Sequence, residues 1–485
     1  MPSPCASPDV QQRDVYLQLR SLKLQKAAIT NDLPVRILNE FAYELSEPLT
    51  DIINASFKQG VVPAQWKCSQ VTPIPKSQPP TINNLRPIAL TSNFAKITES
   101  FAAKWLLEDI RNNIDSQQFG NRPGLSTMHY LVNLLDHLFK HCEENKSVAT
   151  VVCTDFTKAF DKLDHNIIVS KLVKLQVRPW LIDWIASFLE NRKQSVKYFG
   201  TLSDCSFNHA GVPQGTKLGP ILFLVMINDA LCDSNIPYYK YVDDLTLLEC
   251  RTGDQESDLQ FYLSQFHQWA LRNNMKLNPS KCLSMNVTFS RNPPLPNVLC
   301  IDNMQLPNVS SVKILGVTIQ SNLKWDAHIL DIIKRCNRKL YMFRSIKQHG
   351  LSLEDLKTVY IGYIRPVLEY CAPVFNSGIT NSQVKSLERI QKRVLKMMLG
   401  KKYVSYENAC YLLNLPTLEA RRRKLSEDFS KTLINHPACR NWLPPRRTIQ
   451  RSLRHYLPYE QFHCKTQRYR NSPMPYFVDI LNGRR

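Results

Sequence analysis

The segment YYKYVDDLTLLEC, residues 238–250, sets two aspartates side by side between two apolar half-segments. Adjacent like charges resist burial unless a counter-charge meets them. The fold must therefore turn Asp243 and Asp244 out to water or bring something cationic to them. YYKYV and LTLLEC read as two strands joined through the aspartates. Successive side chains of an extended backbone point to opposite faces, so the two carboxylates take unequal roles. Taken alone, the segment also fits an ordinary hairpin with an Asp-rich turn.

A third carboxylate has a similar setting. The β-branched run VATVVCT, 148–154, stops at Asp155. If the strand ending there neighbours the 238–250 pair, three carboxylates meet at one sheet edge. Mg²⁺ takes oxygen ligands, few from protein and several from substrate phosphate. Two such ions can activate an attacking hydroxyl and neutralise a leaving pyrophosphate. We expect Asp155 and Asp243 as principal ligands of two Mg²⁺ ions, with Mn²⁺ as a substitute and Asp244 in support.

The remaining pattern is α+β with a helical end. Apolar residues recur at helical spacing over 35–58 and 93–112. LGPILFLVMINDAL opens with a proline in a first helical turn and continues as a buried helix. VKILGVTI, 312–319, reads as one further strand. Prolines in VVPAQW, VTPIPKSQPPT and the 293–307 stretch mark loops or sheet edges. From Ile329, apolar residues recur at Ile333, Cys336, Leu340 and Phe343. Over 383–399, Val384, Leu387, Ile390, Val394 and Met397 share one face. Lys385, Arg389, Lys392, Arg393 and Lys396 share the other, and Gly400 ends the helix.

Charge is unevenly placed. Of the formal +21, residues 1–330 contribute 32 basic against 30 acidic side chains, and residues 331–485 contribute 30 against 11. A nearly neutral body thus carries a region suited to a polyanion. One basic helix face alone is ordinary solvated surface; two in succession plus RRRK at 421–424 favour nucleic-acid contact. The 14 cysteines include no C-x-x-C pair, as expected for reduced thiols. His436 with Cys439, and His463 with Cys464, lack a second matching pair and are not read as a zinc site. No run of eighteen uncharged apolar residues is present, and the N-terminus lacks the pattern of a secretory signal. No membrane partner is expected, and the location is read as nuclear or cytoplasmic.

Ordered motifs narrow the class. The chain offers VTPIPK (71–76), LRPIALTSNFAKI (85–97), QFGNRPGLST (118–127), CTDFTKAFDKLDH (153–165), GVPQGTKLGPILFLVMIND (211–229), YVDD (241–244), LNPSKC (277–282) and KILGV (313–317). In content and order these resemble the reverse transcriptase of non-LTR retrotransposons of the jockey type. The match runs from about 60 to 320 and continues more loosely through YIRPVLEYCAPVF (363–375) and LERIQKRVLKMM (387–398) to RYRNSPMPYFVDILNG (468–483).

The resemblance implies a right-hand polymerase. It would have an N-terminal helical extension (1–62), fingers (63–146), a palm built on an antiparallel sheet packed by helices (147–325), and a helical basic thumb and C-terminal region (326–485). It implies RNA template, DNA primer or RNA–DNA hybrid, and dNTPs as partners. Asp155 and the YVDD pair would hold metal, and Lys281 would protonate the leaving pyrophosphate. Lys76 and Arg86 would grip the triphosphate, as an ammonium and a forked guanidinium suit it. Phe160 would exclude a ribose 2′-hydroxyl, although KAF also fits a helix turn with a core Phe. Gln214 and Gly215 would approach nucleotide and template, glycine allowing close backbone contact. Leu315 and Gly316 would belong to a strand that grips the primer, and the basic face of 383–399 would meet nucleic acid.

Two departures stand out. Family members open with a Lys-x-x-Gly-Pro-Asp-type segment, where this chain reads KAAITNDLP (26–34). Full-length elements carry an upstream endonuclease, for which this sequence has no room; a truncated copy or a separated polymerase part is expected. Two other readings stay open: a catalytically silent RNA-binding remnant, and an intron-maturase-type reverse transcriptase.

Overall fold

The computed structural model describes residues 7–25, 29–30, 32–76, 79–81, 84–144, 147–252, 255–290, 297–446 and 457–484. Part of KAAITNDLP and of the 293–307 proline stretch lies outside them. In chain order the strands are β1 (Cys68–Pro75), β2 (Leu85–Thr91), β3 (Ser147–Thr154), β4 (Arg192–Tyr198), β5 (Thr201–Leu202), β6 (Ser206–Asn208), β7 (Tyr238–Tyr241) and β8 (Asp244–Thr252). They continue with β9 (Leu283–Thr288), β10 (Cys300–Ile301), β11 (Met304–Gln305), β12 (Ser311–Ile314) and β13 (Val317–Gln320). Two compact units share these elements. One takes residues up to Asn121, Asp155–Ser234 and Ser264–Asn278; the other takes Arg122–Thr154, Asn235–Leu263 and the chain from Pro279 on.

The first unit holds the sheet β2-β1-β4-β5, with β6 also on β4. β1 and β2 are antiparallel from Ser69↔Thr91 to Pro75↔Leu85. β1 runs parallel to β4 only over Cys68–Val71. Pro73 and Pro75 therefore lie where β1 has left β4, and Pro87 lies on the edge strand, where a missing N–H breaks no ladder. The 35–58 helical pattern is realised as Val35–Glu40 and Ala42–Gln59, broken at Phe41. Phe57 packs against Trp105 and Trp184, each with ring centroids 4.9 Å away. The Gly219–Ile227 helix is buried at every residue except Pro220. It is apolar all round, as a central helix must be.

The second unit is organised by the antiparallel sheet β7-β8-β3-β9. β3 lies between β8 and β9, and seven of its eight residues are buried. VKILGVTI is two strands, not one: β12 and β13 form a hairpin with Ile314 opposite Val317. Leu315 (φ 46°) and Gly316 (φ 84°) form its turn. Both halves keep apolar alternation, so periodicity alone runs straight through the turn.

The helical region of this unit needs three further corrections. On Asp326–Gln348 the buried position is Ile332, with Ile333 only half-buried. On Asn381–Leu399 the buried stripe is Leu387, Ile390, Val394, Leu395 and Met398, joined by Glu388 and Gln391, while Val384 and Met397 are half-buried. The RRRK cations turn to carboxylates of the chain itself. Arg421 forks onto Glu369 at 2.9 and 2.8 Å, and Arg422 is buried. Arg423 pairs with Glu427 and Lys424 with Asp428. Among the described residues no helix is long and apolar enough to cross a membrane.

Candidate active site

In the second unit, Tyr241 pairs with Asp244, so Val242 and Asp243 form a two-residue turn between β7 and β8. Val242 alone of the two has positive φ, 58°. A primed turn of this kind normally takes glycine at that position, and a β-branched residue there is strained. Asp243 is half-buried and Asp244 exposed. Below them Tyr130 donates to Thr246 Oγ1 at 2.6 Å, and Cys153 Sγ lies 3.8 Å from the same oxygen. Burial pushes the Cys153 thiol up to about 12, and it pushes the Tyr130 phenol up too, Asp244 adding to both. The base of the hairpin is thus packed by neutral groups.

The ladder sets what else reaches this end of the sheet. Thr154 of β3 opposes Leu245, and Cys153 opposes Leu283 at the start of β9. Lys281, exposed, precedes β9 by two residues. The aspartate turn, Lys281 and the outgoing end of β3 therefore share one end of the sheet. Asp155 is the residue that follows Thr154 in the chain. Two adjacent carboxylates offer the oxygen donors that suit Mg²⁺, which takes one or two from protein and fills its shell from water and phosphate. Among the described residues, no group of three or more His, Cys, Asp or Glu side chains forms a ready-made metal cage.

The first unit collects the other expected residues. Lys76 and Arg86 are exposed on the β1–β2 ribbon. Ile74 opposes Arg86, and the Lys76 N–H bonds the Asn84 carbonyl at 3.0 Å. By strand parity both cations lie on one face. Two residues after Arg86, Ile88 bridges Gln214, and the Ala89 N–H donates to the Gln214 carbonyl at 2.7 Å. Gly215 has φ 133°, and a Cβ there would overlap the Ala89 carbonyl oxygen. Gln214 Nε2 donates to Asp161 at 3.0 Å. Phe160, half-buried, stacks on Phe223 with centroids 4.7 Å apart, and its carbonyl accepts from Val212 N–H at 2.9 Å. Asp155 lends its carbonyl to Asn278 N–H at 2.8 Å.

Elsewhere in the second unit, Tyr370 donates to the Leu315 carbonyl at 2.8 Å, and its ring lies against Gly316. Lys385, Arg389, Lys392, Arg393 and Lys396 are all exposed. Arg393 donates to Asn337 at 2.9 Å, and Lys392 Nζ sits 4.9 Å from the Tyr406 ring. Three residues carry roles that the sequence alone did not reveal. Tyr370 lies inside YIRPVLEYCAPVF, and Asp161 directly follows Phe160 in its motif. Glu99, whose carboxylate accepts from the Lys217 N–H at 2.7 Å, has no local signal.

Residues 74–319 match the family described as "Reverse transcriptase (RNA-dependent DNA polymerase)", and the chain belongs to that family. The α+β, right-hand polymerase class implied by the motifs is the class of this family. The chain is similar to the probable RNA-directed DNA polymerase from transposon BS of Drosophila melanogaster, at 27% identity over 89% of this chain and 50% of that protein. It is likewise similar to the RNA-directed DNA polymerase from mobile element jockey of Drosophila funebris, at 26% identity over 92% of this chain and 51% of that one. The chain thus spans about half the length of the curated relatives it matches. Among solved structures, telomerase from Candida tropicalis in complex with a TWJ fragment of telomeric RNA aligns at 12% identity and TM-score 0.44, over 82% of this chain and 67% of that one.

Proposed function

We propose that the chain is the RNA-directed DNA polymerase of a non-LTR retrotransposon, extending a primer 3′-hydroxyl with dNTPs on an RNA template. The observation that carries this reading is the aspartate turn. It stands at the end of the sheet where β3 passes its chain to Asp155. Asp155 and Asp243 are the principal carboxylates and Asp244 assists. Two Mg²⁺ ions held by these carboxylates, or Mn²⁺ in their place, would supply activation of the primer hydroxyl and neutralisation of the leaving pyrophosphate.

The chain's own groups do the rest. Lys76 and Arg86 hold the triphosphate from the β1–β2 ribbon, and Gln214 with Gly215 meets the nucleotide from the loop under Ala89. Phe160, backed by Phe223, leaves no room for a 2′-hydroxyl. Lys281 donates a proton to the departing pyrophosphate. The turn at Leu315 and Gly316, steadied by Tyr370, bears on the primer end. The exposed cations of Asn381–Leu399 hold the duplex. We assign fingers to 63–146, palm to 147–325 and thumb to 326–485, after an N-terminal extension, and place the activity in the nucleus or cytoplasm.

Purified protein given primed RNA, dNTPs and Mg²⁺ is expected to make cDNA, and Asp243→Asn to abolish it. Equal yields from both proteins would overturn the reading. Salt-sensitive template binding without synthesis would identify a silent RNA-binding protein instead.

A further inference from the structure

The loop Val212–Leu218 presents Gln214 and then enters the Gly219–Ile227 helix. That helix has no side-chain cap of its own at Leu218. Its first N–H, that of Gly219, is taken from within the loop by Thr216 Oγ1 at 3.2 Å. The two N–H groups just before the helix are held from far away in sequence: Glu99 Oε2 accepts from Lys217 N–H at 2.7 Å and from Leu218 N–H at 3.4 Å. Glu99 lies on the Asn93–Ile110 helix and is 1% exposed. Its other oxygen, Oε1, is buried with no hydrogen-bond partner among the described residues.

A buried carboxylate is costly unless it is paired. Burial raises the Glu99 carboxyl above its ordinary value, and the positive charge of Arg192, on β4 and also 1% exposed, works against that rise. Arg192 spends Nη1 on the Phe188 carbonyl at 3.1 Å, while Nε and Nη2 are buried without a partner among the described residues. Lys96, on the same helix as Glu99, adds a weaker positive field, and Cys68 on β1 is the other titratable group acting on Arg192.

The other end of the loop is tied to the strand that leads into Glu99's helix. Ala89 of β2 holds the Gln214 carbonyl, and Glu99 follows ten residues later. The same strand carries Arg86. One strand–helix corner therefore sets the loop at two points and places it relative to Arg86.

We propose that Glu99 is a positioning residue for nucleotide binding: it fixes the loop so that Gln214 meets the incoming dNTP together with Arg86. The inference rests on the polymerase reading and adds to it a residue that touches no substrate.

The test measures dNTP dissociation constants on the full-length chain bound to RNA with a dideoxy-terminated primer, a readout that needs no turnover. Glu99→Gln keeps size and removes charge. It is expected to weaken dNTP binding about tenfold, the scale of one charge-assisted hydrogen bond, with primer–template affinity unchanged. A lowered melting temperature with wild-type dNTP affinity, or equal losses of dNTP and primer–template affinity, marks Glu99 as merely structural and overturns the proposal. Wild-type protein that binds dNTP yet makes no cDNA from an unblocked primer refutes the polymerase reading and leaves the positioning result standing.

Discussion

Val242 at φ 58° shows how strongly the aspartate turn is constrained, since a β-branched residue takes that conformation only where its surroundings enforce it. The two aspartates part company there as the strand geometry required: Asp243 sits in the turn, half-buried, while Asp244 opens β8 in the open. Two substitutions test the nucleotide side. Phe160 has Phe223 stacked behind it, so in the proposed site Phe160→Val would open space beneath the sugar. The ratio of ribonucleotide to deoxyribonucleotide incorporation is expected to rise at least about tenfold, equivalent to about 1.4 kcal/mol of discrimination. Gly215→Ala sets a Cβ against the Ala89 carbonyl at φ 133°, where backbone cannot yield. It is expected to break the Ala89–Gln214 bond and lower dNTP affinity, with a drop in melting temperature. A melting curve and a dNTP titration on one preparation check both halves.

At the scale of elements, a helix can be basic on one face and still spend part of that charge internally. Arg393 is held by Asn337, and Lys392 lies over Tyr406; reversing that pair disturbs packing as well as any duplex contact. Arg389 and Lys396 are exposed on the same face and make a cleaner test. Arg389→Glu with Lys396→Glu is expected to weaken primer–template binding and to reduce the salt slope of binding by about 2, one for each phosphate left without its cation. The affinity for dNTP should not move, and equal effects on both ligands would sink the thumb assignment. Behind that face, Glu388 accepts from Glu419 N–H at 2.6 Å and from Tyr406, beside buried Arg422. Glu388→Ala strips Arg422 of this counter-charge and is expected to cost about 3–5 kcal/mol of stability, read as a denaturation midpoint. Tyr370 has the same kind of hidden role, holding a turn that periodicity reads as unbroken strand.

For the whole molecule, the charge excess of residues 331–485 falls entirely in the second unit, so template affinity is expected to fall steeply with salt. That unit also carries an acid-sensitive pair. Burial first, with His436 adding, lowers His129 to about 4, and burial with Arg335 lowers His328 to about 4. Unfolding releases both to the ordinary value near 6.5. The unfolded state then binds more protons between those limits, so stability is whole above about 6.5 and is lost as pH falls toward 4. Urea midpoints taken across that range should fall with pH, and less steeply in His328→Gln. What could be read from the chain alone was whatever short-range pattern encodes: the strands that end at Asp155 and flank Asp243–Asp244, the buried Gly219–Ile227 helix, and the cationic face of 383–399. Ordered motifs supplied the family. The turn inside VKILGVTI, the carboxylates that absorb RRRK, and the reach of Glu99 to Lys217 across 118 residues were settled only in three dimensions. Periodicity reports which face of an element is apolar, but a buried charge finds its partner through the fold, and nothing in either partner's local sequence marks the other.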